Sequence, residues 1–275
     1  MNELLQNPAI QSGILPGILA FVIGLALSRF HPWSGFAVIA GFWLSIDLTI
    51  GFQLDPLTST RKIIVLSFFA AFFAVIIQIV AFNQRILKLF LAALVLLAIF
   101  WMVWPVLERK ELAEAIVFST ALIIYSLVFF FGLLALQKHP VISASSAILL
   151  SGFSIGFSAL LGASALLGQS AIAIGAAATA FVMVQVLVKN KQDSAYILPV
   201  SSGLVLCLLS VAMVVYAKVP WYCLIFIAMI PWLSLIRLSE SYSLGTKLSL
   251  KIAMLSLPAI LSVVLTWQSE GPVPY

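Results

Sequence analysis

The chain has 275 residues, 63% of them hydrophobic and only 8% charged, with a formal net charge of +5. A water-soluble domain carries about a quarter charged residues, so this composition excludes an ordinary soluble fold, which would leave far too much apolar surface uncovered in water. The basic balance then reads as cytoplasmic loops of a membrane protein, and no nucleic-acid partner is expected.

Within a bilayer every backbone polar group must be satisfied inside the protein, which leaves helices or a closed barrel. Barrel strands run about ten residues and alternate apolar with polar. Stretches such as Ile63 to Phe82 and Ala113 to Leu136 are apolar on all sides and about twice that length, which is what a helix crossing roughly 30 Å of hydrocarbon requires. The fold class read from the chain is therefore all-α, a polytopic integral membrane protein.

Ten helices are predicted in chain order. Met1 to Gln11 holds Glu3, has no Lys or Arg, and leads into no small-residue cleavage site, so a signal peptide is not expected. The first helix spans Ser12 to Phe30, the second Trp33 to Phe52, the third Arg61 to Phe82, the fourth Arg85 to Leu107 and the fifth Glu111 to Leu136. Val141 to Lys189 is too long for one crossing and reads as a hairpin of two helices broken at Gln169 and Ser170. Ser194 to Ala217, Pro220 to Ile236 and Leu244 to Trp267 complete the set. No connection is long enough for a soluble domain, so residues 1–275 form a single transmembrane domain. Cys207 and Cys223 fall inside apolar stretches and read as buried thiols.

Counting basic residues on alternate loops orients the chain. The N-terminal side carries five (Arg61, Lys62, Arg109, Lys110 and Lys218), against six acids: Glu3, Asp55, Glu108, Glu111, Glu114 and Glu270. The opposite side carries nine: Arg29, Arg85, Lys88, Lys138, Lys189, Lys191, Arg237, Lys247 and Lys251, against Asp193 and Glu240. Lys and Arg set the rule, so the second side is cytoplasmic and both termini lie outside, in the cell (inner) membrane.

An offset of 134 residues lays the small residues Gly13, Gly17, Ala20, Gly24 and Ser28 on Ala147, Ser151, Ser154, Ser158 and Gly162, and Gly41 on Gly175. Steps of three and four keep each set on one helical face, where a neighbouring backbone can approach closely. Gly17, Gly24, Ser154, Ser158, Gly162 and Gly175 are the helix-packing candidates, with the Ser158 face expected against helix seven. If the correspondence is a duplication, halves 12–137 and 141–267 hold five helices each and lie inverted.

Asp47 is the one acid well inside a predicted span, and such a group calls for a partner or a function. It reads as a structural ion pair with Arg61 or Lys62, as a proton or cation site, or as a wet surface residue. Thr58 to Lys62 places two cations where the helix dipole prefers anions, so Asp55, Asp47 or a lipid phosphate should stand close. Lys247 and Lys251 lie one turn apart and are candidates for a shared anionic lipid headgroup, or simply snorkel. His31 and His139 each precede proline and make no metal site, which needs three or four protein ligands. No catalytic or cofactor motif appears, and no cofactor is expected.

In plan, ten spans in two inverted halves, the chain resembles the drug/metabolite transporter group, from whose inside termini the orientation read here departs. The resemblance covers architecture only; by elimination, the first reading of function is a permease-like protein that binds or moves a neutral or lipid-like small molecule between its two halves. The other reading is a non-catalytic structural or assembly subunit that docks partner membrane subunits through its small-residue faces.

Overall fold

The computed structural model describes residues 7–30, 32–53, 55–80, 82–189, 193–239 and 241–269; Glu3, His31, Lys191, Glu240 and Glu270 lie outside the described residues. Among the described residues there are ten α-helices and no strand, only an isolated bridge between Pro140 and Asp193. They are α1 (Leu15–Ala26, led by a π turn at Ile10–Ile14), α2 (Phe36–Thr49, led by a 3-10 turn at Trp33–Gly35), α3 (Ser59–Ile79), α4 (Gln84–Leu107) and α5 (Leu112–Ala135). Then follow α6 (Val141–Leu161), α7 (Ala165–Leu187), α8 (Ile197–Tyr216), α9 (Cys223–Ser234) and α10 (Leu244–Ser269). Seven of these, α3 to α8 and α10, are long and apolar enough to cross a membrane, whereas Ile10–Ala26, Trp33–Thr49 and Cys223–Ser234 are shorter. The protein is a helical membrane protein.

The hairpin expected between Val141 and Lys189 forms, but its turn lies at Gly162 to Ser164 and not at Gln169 and Ser170. The backbone explains the shift. Ala163 takes a left-handed conformation (φ 63°), Ser164 N–H bonds back to the Ala159 carbonyl and Ala163 N–H to that of Leu160. That pair of bonds is a Schellman ending, here with alanine where glycine is usual. Ser170 lies inside α7, its hydroxyl bonding the Leu166 carbonyl one turn back at 2.8 Å.

Helix ends gather at two opposite faces of the bundle. On one, Tyr196 N–H bonds Gln78, Gln84 bonds the Tyr196 hydroxyl, Ser194 N–H bonds the His139 carbonyl, and Gly35 packs on Leu198. On the other, Gln11 bonds the Leu48 carbonyl, Ser59 bonds the Tyr216 hydroxyl, and Gly162 packs on Ala217. Consecutive helices therefore run in alternating directions between the faces. At the centre stands α8, buried at every residue from Ile197 to Met213 and touched by α2, α3, α4, α5, α6 and α7.

Close backbone approach holds the inner helices, as expected where lipid offers no hydrophobic drive for association. A methyl group on Gly152 would meet the Gly175 nitrogen at 2.7 Å, and one on Gly156 the Gly168 carbonyl oxygen at 3.0 Å, so α6 and α7 touch along Gly152 and Gly156. The serine face of α6 looks elsewhere. Ser154 donates to the Ala259 carbonyl at 3.2 Å and the Ser158 and Ser262 hydroxyls stand 3.4 Å apart, both against α10. Residues two apart on a helix point about 200° from one another, so the two stripes serve different neighbours. Gly17 lies against Ala176, and Gly24 against Phe181 and Val184, which seats α1 on α7.

Candidate functional site

The charged candidates near the N-terminal face do not converge. Asp47 is exposed and falls in the last turn of α2, which ends at Thr49, and no ion pair joins it to Arg61 or Lys62 among the described residues. Arg61 donates to the Pro56 carbonyl at 2.8 Å, below the helix start that Thr58 caps. Lys62 is buried, 8% exposed, donates to the Trp101 carbonyl at 2.8 Å and lies 5.4 Å from the centre of the Trp101 ring. Backbone oxygen, together with an aromatic face, thus takes the place of a counter-ion.

On the opposite face Lys251 is 4% exposed and reaches the Ser234 and Ile236 carbonyls, the second at 2.6 Å, so that it closes the C-terminal end of α9. Lys247 is only half-buried. The pair expected to share one headgroup is thereby split between a protein partner and the surface. Nearby, burial together with the Arg237 and Lys251 cations lowers the His139 pKa below the ordinary 6.5, with Asp193 pulling the other way. Cys207 and Cys223 are free and buried, each beside a polar group: the Ser126 carbonyl at 3.7 Å and the Thr266 hydroxyl at 3.3 Å.

A groove of about 1240 Å³ opens between α5 and α9. At one end the two helices meet where Gly132 faces Pro231 and Trp232, a contact so close that a methyl on Gly132 would meet the indole nitrogen at 2.8 Å. The Trp232 indole N–H also donates to the Val128 carbonyl at 3.1 Å. From there the groove runs along α5 towards Lys110, Glu114 and Trp221 at the N-terminal face. Ala113 to Val128 spans about 22 Å at 1.5 Å per residue, more than half of a 30 Å hydrocarbon core.

Buried Leu122, Tyr125 and Leu224 form part of its wall, with the Tyr125 hydroxyl beside Ser210 of α8. The lining is otherwise apolar apart from the mouth, where Lys110 pairs with Glu114 at 3.3 Å and lies 5.2 Å from the Phe118 ring. α5 belongs to the first candidate half and α9 to the second, so both contribute to one concavity. Chemically such a groove can hold a long apolar chain along its length and a charged group at its mouth.

Nothing in the sequence reading joined Trp221 and Trp232 to α5. The signals were present: Lys110 and Glu114 stand four residues apart at the start of α5, and Gly132 is the only glycine in that helix. No protein-family model matches the chain, and no curated protein matches it either.

Proposed function

We propose that the protein is a permease-like carrier that binds a neutral or lipid-like small molecule in the groove between α5 and α9 and moves it across the cell (inner) membrane. The observation that carries this reading is the groove itself, an open apolar concavity lined from both candidate halves and ending at an exposed ion pair. In this reading all ten helices cross, Ile10–Ala26, Trp33–Thr49 and Cys223–Ser234 included, and both termini lie outside. The halves 12–137 and 141–267 are inverted repeats. Supporting that symmetry, α2 packs on α7 and α3 on α8, the pairs that a two-fold relation of helix n to n+5 would set across its axis. The α6 and α10 pairing has no equally extensive counterpart between α1 and α5, so the two halves differ in how they close.

A structural or assembly subunit is the second reading. It draws on Ile14 at the end of the π turn and Ile18, Val22 and Leu25 of α1, which are 49 to 57% exposed and form one stripe that could seat a partner helix.

The two readings part in vesicles. The full chain, reconstituted with a fluorescent short-chain lipid analogue, should speed its movement between leaflets, and Ala121→Trp or Ala228→Trp, which fill the groove, should abolish that movement. Unaccelerated movement by a correctly folded protein would overturn the carrier reading in favour of the subunit.

A further inference from the structure

The mouth of the groove identifies the chemistry of what enters it. Lys110 and Glu114 hold each other at 3.3 Å across one turn of helix, and the lysine is further fixed over Phe118, so a positive and a negative charge stand side by side at the end of an apolar channel. On the approach to α5 stand Glu108, Arg109 and Glu111, and Lys218 precedes the lining residue Trp221 by three positions, all exposed. With Lys110 and Glu114 that makes three acids and three bases. Neither sign prevails.

A headgroup with a lone negative charge would gain from Lys110 but meet Glu114 beside it, and a purely cationic one would meet the reverse. A group that carries both charges a few ångströms apart can satisfy both at once, its phosphate on Lys110 and its ammonium on Glu114. The channel behind is about 22 Å long, which exceeds one leaflet's half of the hydrocarbon core and suits an acyl chain entering from the leaflet on the Lys110 side.

From these observations we infer that the groove is a binding site for a zwitterionic phospholipid, with an acyl chain between α5 and α9 and the headgroup on the Lys110 and Glu114 pair. The inference rests on the groove being a ligand site, as in the proposed function, and goes further in naming the headgroup class and its two anchoring residues.

Photo-crosslinking of the full chain in mixed micelles tests it, with diazirine-acyl phosphatidylethanolamine and diazirine-acyl phosphatidylglycerol as the probes and labelled residues located by peptide mass spectrometry. The zwitterionic probe should label groove residues such as Tyr125 and Met229 roughly threefold more than the anionic one, the scale of an exposed charge contact. Glu114→Gln, at the surface and checked for folding by gel filtration, should remove that preference while labelling persists, and Lys110→Gln, which leaves Glu114 to face the anionic headgroup alone, should weaken labelling by both probes and keep the preference. Equal labelling by the two probes, or a preference for the anionic one, would overturn the headgroup inference and leave the groove as an acyl-chain site. Labelling of Tyr125 and Met229 no stronger than that of the exposed α3 residues Phe68 and Phe72 would overturn the groove reading itself.

Discussion

The Lys62 ammonium donates to the Trp101 carbonyl at 2.8 Å because Pro105, four residues further along α4, has no N–H to give it. A proline inside a helix frees the carbonyl one turn back, and in hydrocarbon a freed carbonyl must find another donor. Tyr216 of α8 adds a hydrogen bond to the neighbouring Met102 carbonyl at 2.8 Å, so α3, α4 and α8 are tied together one turn before Pro105. Lys62→Met should therefore cost about 1 to 3 kcal/mol, the penalty for stranding a buried acceptor. In a Pro105→Ala background the new N–H takes over the Trp101 carbonyl, and the cost of Lys62→Met should shrink by more than about 0.5 kcal/mol. Unfolding in mixed detergent measures the cycle, and strict additivity would show that the two residues do not share this carbonyl.

Lys251 serves α9 in a similar way, holding the Ser234 and Ile236 carbonyls past the helix end. Replacing it with Met should destabilise the protein by about 1 to 3 kcal/mol, whereas Lys247→Met, at a half-buried position, should stay within about 0.5 kcal/mol. Equal effects of the two substitutions in thermal unfolding would deny Lys251 its capping role.

The α6 and α7 contact depends on absent side chains. Gly152→Ala places a methyl 2.7 Å from the Gly175 nitrogen, which is backbone and cannot swing away, and should cost about 1 to 3 kcal/mol through overpacking. Ser158→Ala removes only a 3.4 Å hydroxyl contact to Ser262 and should cost about 0.6 kcal/mol or less. Thermal stability in detergent ranks the two, and a reversed order would place the governing contact on the serine face.

His139 sets a pH dependence on the opposite face. Its pKa in the folded protein lies below the ordinary 6.5, so the unfolded chain binds the proton more readily. The associated stability is complete above 6.5 and is lost as pH falls towards and through the folded value. A His139→Gln variant should lose less stability than the parent between about pH 7 and pH 5.5. Denaturant titrations at the two pH values give the slopes, and identical slopes would show that His139 is not the titrating group.

What the sequence disclosed and what it hid divide along physical lines. Helix number and order were legible because lipid forces each crossing to be apolar over its whole length, as in Ile63 to Phe82. That same uniformity hid which side of each helix is buried. Phe69 and Phe72 are 50% and 59% exposed while Ala70 and Ala74 in the same turns are fully buried, and no apolar-polar alternation marks the difference. The turn at Ala163 was missed because an alanine occupies a left-handed position that usually signals itself by glycine. Lys62 and Lys251 drew attention as charges, but their partners are backbone carbonyls on other segments, which no residue type announces. The groove joins residues about a hundred positions apart, such as Tyr125 and Leu224, and only the packing of α5 beside α9 brings them together.

Sidedness gives the last test. Helix ends sort onto two faces, one holding the His139, Asp193 and Tyr196 region and the other the Gln11, Ser59 and Tyr216 region. In the proposed orientation the first face is cytoplasmic, which rests on the sequence count of nine basic residues against five on alternate loops. If all ten helices cross, Asn7 and Gln268 share the outer side and Lys138, which follows the fifth helix, lies inside. Single cysteines at the three positions should then label with an impermeant maleimide from outside at Asn7 and Gln268, and at Lys138 only after the membrane is opened. Labelling of Asn7 and Gln268 from opposite sides would mean an odd number of crossings, with one of the short helices α1, α2 or α9 turning back within the membrane. Outside labelling of Lys138 together with protection of both Asn7 and Gln268 would keep ten crossings and reverse the orientation.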